Sequence, residues 1–275
     1  MSTKLVHDIN KSELNLDKTL DCGQAFRWDK QMINNEKHWV GVINGEVWIL
    51  KQSDDKIETN LDYEDIVKFV RYFNLDLDYT TEIGKIDLNE FEKKSYKFSE
   101  GIHILRQDLL ETMITFLMSS CNTMSNIRNI VNKMSKLYGT EIITEFKGET
   151  IVRYSFPTLE KLKTLTEEDF KKCGMGFRAR YLVNMVKQLN ESYLKQLKQM
   201  DYKSAMKMLQ EFKGVGVKVA NCVALFGLHH IQAFPIDTHI QQIIDKEFNG
   251  KINIQKYGQY AGIIQQYMFY YKAFN

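Results

Sequence analysis

The sequence predicts an α+β protein, in which an antiparallel β-sheet domain over residues 1–100 is followed by a mostly α-helical domain over residues 101–275. The dipeptide Asn44-Gly45 separates two short apolar segments, which is the strongest short-range signal for a β-hairpin. From about residue 99 onward, apolar residues instead recur with helical spacing. A chain of 275 residues is long enough for one or two domains with a large core.

Three strands are expected in the first domain, at residues 25–28, 38–43 and 46–50. The hairpin turn needs residues that accept positive φ, and Asn44 and Gly45 both do. Residues 62–73 predict a short helix after the sheet. The boundary with the second domain is expected near residues 98–103.

The second domain carries a series of helical patterns, and neither of the two prolines, Pro157 and Pro235, interrupts one. Thr166 precedes three acidic residues, as a helix cap followed by acids in the first turn would. The predicted helical segments are 109–117, 127–137, one that starts after Thr166, 178–190, 202–211, 217–227, 238–247 and 255–272.

Charge divides unevenly along the chain. Residues 1–98 hold 14 Lys and Arg against 19 Asp and Glu, whereas residues 99–275 hold 23 against 16. This asymmetry favours a basic surface on the second half of the chain that could bind nucleic acid. A mildly basic solvated surface accounts for the same excess.

Cysteine usage and hydropathy argue against several protein classes. The four cysteines are widely spaced and form no Cys-x-x-Cys pair, which speaks against a zinc site and a disulfide framework and favours a reduced, intracellular protein. The N-terminal residues lack the apolar run of a signal peptide, and no segment approaches the length of a membrane span. We expect no membrane association, and a monomer, since no separate oligomerisation segment is visible.

Residues 209–222, LQEFKGVGVKVANC, hold the most informative motif. Gly214 and Gly216 predict a tight turn between two helices, a helix-hairpin-helix. Free N–H groups at the start of the second helix would bind an anion such as a DNA phosphate, whatever the base sequence. The glycine spacing also fits a plain helical hairpin.

Two residues near this turn could carry chemistry. Lys218 in the first turn of the second helix could attack a sugar carbon and form a Schiff base, or serve as a surface phosphate ligand. Cys222, four residues later, shares its helix face. Asp237 is expected to cap the next helix, and a carboxylate there could also stabilise a positively charged sugar. His239 is expected on the surface, where it could touch phosphate.

Several separate segments resemble the 8-oxoguanine DNA glycosylase family of the helix-hairpin-helix superfamily. The similarity covers most of the chain and lies in CGQAFRW at 22–28, GMGFRARY at 174–181, the hairpin with Lys218 and Asp237, and GIIQQYMF at 262–269. The resemblance implies a TBP-like antiparallel sheet domain packed on a helical glycosylase domain. It also implies a bifunctional base-excision repair enzyme that excises 8-oxoguanine from double-stranded DNA and cleaves the strand by β-elimination.

The resemblance further implies a role for each matching residue. Lys218 would be the Schiff-base nucleophile and Asp237 its catalytic partner. The base pocket would contain the Gly23 carbonyl, which accepts the lesion's N7–H, Gln265, which reads the Watson–Crick edge, and the pocket walls Cys222, Phe269 and Pro235. Extrusion of the base is required because its glycosidic carbon is inaccessible in the stack. The DNA contacts would be Phe177 as the wedge, Arg178 on the widowed base, and Cys121, Asn122, Gly214, Gly216 and His239.

The chain departs from the family at the loop after Ser119-Ser120. Cys121-Asn122-Thr123 stands where many members have three asparagines, and Asn126 stands where some have an arginine for the opposite cytosine. Cysteine cannot supply an amide's paired donor and acceptor, so we expect a weaker preference for cytosine opposite the lesion. Lys213 replaces the usual hairpin proline and would add attraction for phosphate.

No cofactor is expected, because an iron–sulfur branch would need four clustered cysteines near the C-terminus and none follows Cys222. By resemblance, the carbonyls of Gln210, Phe212 and Val215 could hold a monovalent cation. The resemblance also implies a bacterial-type cytoplasmic enzyme on the nucleoid. The alternatives are a glycosylase for other damaged bases, a non-catalytic helix-hairpin-helix module, and a small-molecule enzyme. The presence of both Lys218 and Asp237 disfavours the module.

Overall fold

The computed structural model describes residues 5–275. The first half forms a five-stranded antiparallel sheet with strand order β1-β5-β4-β3-β2. Its strands are β1 (Leu5–Asp8), β2 (Asp29–Ile33), β3 (Glu36–Ile43), β4 (Glu46–Gln52) and β5 (Lys56–Thr59). Its helices are α1 (Leu16–Leu20), α2 (Ile66–Tyr72), α3 (Thr80–Ile83) and α4 (Glu90–Phe98).

The predicted hairpin is confirmed. Asn44 and Gly45 adopt φ of 50° and 82° and connect β3 to β4 with Ile43 opposite Glu46. The predicted helix at 62–73 is also confirmed, as a 3-10 turn at Tyr63–Asp65 followed by α2.

The strand predicted at residues 25–28 is wrong, since β2 begins only at Asp29. Residues 22–28 instead form a bent loop between the two halves of the molecule. The Gln24 carbonyl accepts a hydrogen bond from the Gln107 side chain, not from a neighbouring strand. Phe26 enters the helical core and Trp28 the sheet core, so the apolar pattern reflects burial on two sides rather than strand pairing.

The sheet is covered on both faces. On one face, Trp39, Trp48 and Leu50 pack against Phe69 and Tyr72 of α2. The other face is covered by a hairpin that was not predicted from the sequence, formed by β6 (Glu141–Phe146) and β7 (Glu149–Tyr154). Because this hairpin comes from the second half of the chain, it attaches the sheet to the helical domain.

The remainder of the chain is helical: α5 (Leu109–Leu117), α6 (Met124–Tyr138), α7 (Leu159–Thr164), α8 (Glu167–Lys172), α9 (Ala179–Gln188), α10 (Glu191–Gln199), α11 (Tyr202–Leu209), α12 (Val217–Phe226), α13 (Thr238–Glu247) and α14 (Ala261–Phe274). The single helix predicted over 255–272 is wrong in its first part. Gly258, with φ of 55°, interrupts the helical backbone within the 3-10 segment Ile254–Tyr260, and α14 begins only at Ala261.

Helix α12 lies at the centre of the helical half. Its residues from Val219 to Phe226 are all buried, and it packs against α5 and α11. Helix α14 packs against α4 and α13. Within residues 5–275, each helix is too short or too polar to cross a bilayer.

Candidate active site

A cleft of about 830 Å³ opens at the first turn of α12 and runs between the loop 119–123, the start of α13 and the end of α14. An inner pocket shares the side chains of Lys218, Asp237 and Phe269 with this cleft. All seven residues predicted for catalysis and base recognition line the inner pocket: Gly23, Lys218, Cys222, Pro235, Asp237, Gln265 and Phe269.

The hairpin between α11 and α12 is built as its two glycines require. Gly214 has φ of 90°, and a Cβ there would lie 2.9 Å from the Tyr181 ring, so only glycine fits. Gly216 is the N-cap of α12 and offers no side-chain cap, while the space beside its Cα is open. The first N–H groups of α12 are therefore left for an external anion.

Lys218 reaches from the first turn of α12 into the cleft. Its Nζ donates a hydrogen bond to Ser119 Oγ at 3.0 Å and lies 5.8 Å from the centroid of the Phe116 ring. Ser119 Oγ in turn donates to the Phe116 carbonyl at 2.7 Å. Neither contact could be predicted for Ser119 and Phe116, because nothing in the local sequence says that α5 ends opposite α12.

Asp237 caps α13 as predicted, since its Oδ1 accepts a hydrogen bond from the Ile240 N–H at 2.8 Å. The segment before it is attached to α12 through Asn221. Asn221 Oδ1 accepts hydrogen bonds from the Phe234 N–H at 3.2 Å and from the Tyr202 hydroxyl at 2.7 Å. This link holds Pro235 and Asp237 against the helix that carries Lys218.

Cys222 and Phe269 form two sides of the inner pocket. Burial raises the pKa of the Cys222 thiol to about 11, against the opposing effect of the Lys218 ammonium. The thiol is therefore neutral at pH 7 and presents a polarisable, apolar surface. Phe269 is packed edge-to-face by His239 at 5.6 Å, so His239, predicted as a phosphate contact, also supports the pocket wall.

Two polar groups of the pocket have no hydrogen-bond partner among the described residues. Gln265 is 4% exposed, and its side-chain Oε1 is buried and unpaired. The Gly23 carbonyl likewise receives no hydrogen bond within residues 5–275. A buried, unpaired acceptor is costly, so Gln265 Oε1 is arranged for a ligand that brings a donor, and the half-buried Gly23 leaves its carbonyl free for the same ligand.

Gly23 is a glycine for steric reasons as well. Its φ is 79°, and a Cβ would lie 2.8 Å from Met124 Sδ and 3.5 Å from the Phe269 ring. The backbone at Gly23 can therefore approach the pocket only because the residue has no side chain.

The predicted DNA contacts lie outside the inner pocket. Cys121, exposed with φ of 50°, and Asn122 line the cleft, as does His239. The Asn126 amide donates to Asn122 Oδ1 at 2.7 Å, which orders the start of α6.

Phe177 and Arg178 lie beside this loop and do not line the cleft. Phe177 is 54% exposed, and its ring centroid lies 4.5 Å from the Arg178 guanidinium carbon. Arg178 is buried and donates to the carbonyls of Ser120 and Cys121, at 2.9 Å in each case. In this structure Arg178 therefore supports the loop, and its predicted contact with the widowed base would require some of these bonds to open.

Comparisons with known proteins agree over nearly all of the chain. Residues 6–113 match the sequence model of the N-terminal domain of 8-oxoguanine DNA glycosylase, and residues 114–257 match that of the HhH-GPD superfamily of base excision DNA repair proteins. N-glycosylase/DNA lyase OGG1 of Arabidopsis thaliana is 32% identical over 97% of this chain and 78% of its own length.

Solved structures agree with the sequence comparison. The apo-form of the 8-oxoguanine glycosylase/lyase of Clostridium acetobutylicum superposes with a TM-score of 0.86 at 31% identity, covering 98% of this chain and 97% of that one. Its complex with double-stranded DNA containing cytosine opposite 8-oxoguanine gives a TM-score of 0.84 at 30% identity, covering 98% of each chain.

Proposed function

Because the chain belongs to the 8-oxoguanine DNA glycosylase family of the helix-hairpin-helix superfamily, we propose that it is a bifunctional DNA glycosylase and AP lyase of base excision repair. Its substrate is double-stranded DNA that contains 8-oxoguanine. The observation that carries the proposal is the buried, unpaired Oε1 of Gln265 in the same pocket as the Lys218 amine. This pairing of a base-reading group with a nucleophile is what excision of an extruded base requires.

Recognition follows from the hydrogen-bonding groups of the pocket. The Gly23 carbonyl accepts the N7–H of 8-oxoguanine, which guanine lacks, and Gln265 reads the Watson–Crick edge. The base stacks between the neutral Cys222 thiol and the Phe269 ring, with Pro235 as a further wall. A single acceptor discriminates the lesion because guanine N7 would leave that acceptor unpaired.

Catalysis follows from the position of Lys218. Lys218 first gives its ammonium proton to water. Its amine then forms a bond to the sugar C1′ as the bond from C1′ to N9 of the base breaks, and the base leaves with a proton from the newly bonded nitrogen. The sugar ring then opens as its ring oxygen takes a proton, which gives an imine to Lys218. Loss of a proton from C2′ and departure of the 3′ phosphate cleave the strand. The Asp237 carboxylate stabilises the positive charge that develops on the sugar.

DNA is held through the hairpin and the cleft rim. The open backbone at Gly216 and the turn at Gly214 bind phosphate, and Phe177 fills the space that the extruded base leaves. Cys121, Asn122 and His239 complete the contact surface, and Arg178 joins it when some of its bonds to the loop carbonyls open. The reaction needs no cofactor, and a monovalent cation at the carbonyls of Gln210, Phe212 and Val215 would only support the hairpin. We propose that the enzyme acts in the cytoplasm as a monomer bound to the nucleoid. Its sheet domain comprises residues 1–100 and its helical domain residues 101–275.

Borohydride trapping on an 8-oxoguanine duplex tests the proposal. The wild-type protein should give a covalent adduct and a cleaved strand, and Lys218→Gln should give neither. Lys213→Gln is the matched control, because it removes the same charge from an exposed position in the turn before α12. It should weaken phosphate attraction at most, and the protein should still be trapped. An adduct with Lys218→Gln, or none with the wild-type protein, contradicts the proposal.

A further inference from the structure

The proposed role of Gly23 requires a fixed backbone at a residue whose backbone is intrinsically flexible. In the proposed function its carbonyl must point at one atom of the lesion, yet glycine has more backbone freedom than any other residue. A backbone acceptor that moves discriminates poorly, since recognition groups must be held in the productive geometry. The neighbouring side chains show how this freedom is removed.

Gln24 fixes the chain after Gly23. Its side chain is 1% exposed, and its Nε2 donates to the carbonyls of Thr19 at 3.0 Å and His103 at 2.8 Å. Its Oε1 accepts a hydrogen bond from the Leu105 N–H at 2.9 Å. Both ends of the amide are therefore engaged, and the side chain cannot reorient without leaving buried groups unpaired.

Gln266 fixes the chain before Gly23. It lies on α14, directly after the base-reading Gln265, and is 2% exposed. Its Nε2 donates to the Cys22 carbonyl at 2.8 Å across a separation of 244 residues. This bond engages the Cys22 carbonyl and helps to fix the plane of the peptide that joins Cys22 to Gly23.

We propose that Gln266 is a positioning residue for lesion recognition, which aims the Gly23 carbonyl into the pocket by holding the Cys22 carbonyl. The inference rests on the proposed function and adds a residue to it. One helix, α14, then supplies both the reading group Gln265 and the support for the second reading group, so the two move together. Gln266 also lines the inner pocket, and the role proposed for it rests on its hydrogen bond to Cys22.

The test is Gln266→Met, which keeps the length and volume of the side chain and removes the donor. Single-turnover excision of 8-oxoguanine should fall about 10- to 100-fold, as expected for a misplaced recognition group. Trapping on an abasic duplex, which has no base to recognise, should stay within about twofold of wild type. Unchanged excision, or an equal loss on both substrates, overturns the inference.

A matched control separates positioning from stability. Ser99→Ala removes another buried hydrogen bond to α14, from Ser99 Oγ to the Tyr267 carbonyl at 3.1 Å, without touching the loop at Gly23. It should leave the ratio of 8-oxoguanine excision to abasic-site trapping unchanged. If the ratio falls as much as in Gln266→Met, the bond to Cys22 has no special role.

Gln266→Glu provides a second variant should Gln266→Met fold poorly. A protonated carboxyl can donate to the Cys22 carbonyl and an ionised one cannot. The excision-to-trapping ratio of this variant should therefore recover as pH falls, and a ratio that stays flat with pH counts against the inference. Failure of the wild-type protein to excise 8-oxoguanine would contradict the proposed function instead, so the two failures are distinguishable.

Discussion

Asp237 caps α13 and, in the proposed function, also takes part in catalysis. Its carboxylate caps α13 and lies in the pocket that contains Lys218. Asparagine caps a helix about as well as aspartate but carries no charge. The two duties can therefore be separated by one substitution.

We expect Asp237→Asn to lower the single-turnover excision rate by about 10²- to 10³-fold, since a charge that stabilises the transition state is lost. The free energy of unfolding should change by less than about 0.5 kcal/mol, because the cap remains. Asp237→Ala should show the same loss of rate and also lose about 1 kcal/mol of stability. Denaturant unfolding and rate measurements check both, and an unchanged rate in Asp237→Asn would contradict the catalytic role.

In the proposed function, Gln265 recognises the damaged base at a cost in folding stability. Its buried Oε1 has no partner among the described residues. Gln265→Leu should therefore leave the free energy of unfolding unchanged or raise it by up to about 1 kcal/mol. The same change should lower 8-oxoguanine excision by about tenfold or more, while trapping on an abasic duplex continues. Thermal unfolding measures the stability, and excision and trapping assays measure the two activities. A destabilised variant with normal excision would show that Oε1 stabilises the fold and does not recognise the base.

At the scale of elements, the hairpin uses its two glycines differently. Gly214→Ala meets both a left-handed φ and the Tyr181 ring, so it should cost about 2 kcal/mol of stability. Gly216→Ala meets open space and should cost less than about 1 kcal/mol. It should nevertheless weaken DNA binding, because the added methyl stands where a phosphate approaches. Fluorescence anisotropy with an undamaged duplex measures DNA affinity, and denaturant unfolding measures stability. If the two variants lose equal stability and equal affinity, the glycines do not have different roles.

In the proposed function, the loop before α6 faces the base opposite the lesion. Cys121 offers no paired donor and acceptor, and the Asn126 amide is engaged with Asn122. Excision rates with cytosine, adenine, guanine and thymine opposite the lesion should therefore lie within about tenfold, each missing base contact being worth about 1–3 kcal/mol. Cys121→Asn should increase the preference for cytosine. A strong cytosine preference in the wild-type protein would show this expectation to be wrong.

At the scale of the whole molecule, Arg27 joins three parts of the fold. The buried guanidinium, on the loop between the domains, pairs with Glu111 of α5 at 3.4 Å and donates to the Tyr154 carbonyl of β7. Burial raises the pKa of Glu111 to about 6, and Arg27 opposes that rise. The contribution of Glu111 to stability is therefore present at acid pH and is lost as pH rises through about 6.

Arg27→Met should destabilise the protein more at pH 8 than at pH 5, by about 1–2 kcal/mol. Without the guanidinium, the pKa of Glu111 climbs further and its ionisation becomes costlier. Urea unfolding at the two pH values measures the difference. Arg27→Met with Glu111→Gln should lose most of the pH dependence, and an equal loss of stability at both pH values in the single variant would contradict the pairing.

Much of the fold could be predicted because its signals are local. The turn at Asn44-Gly45, the Asp237 cap and the periodicity of α5, α6 and α12 are each determined within a few residues. The strand predicted at 25–28 and the missed hairpin β6-β7 failed for the opposite reason. Both segments take their conformation from a distant partner, α5 and the sheet respectively, and tertiary contacts override local preference.

The sequence by itself determined the family, the nucleophile candidate and the identity of the residues that line the pocket, because the family resemblance preserves chemistry at matched positions. Only the tertiary structure decided how these residues are held: Ser119 against Lys218, Asn221 behind Pro235, Arg178 on the loop carbonyls and Gln266 on Cys22. Hydrogen bonds between residues far apart in the sequence produce no local or periodic sequence pattern. Their partners become visible only when folding brings the two ends of the chain together.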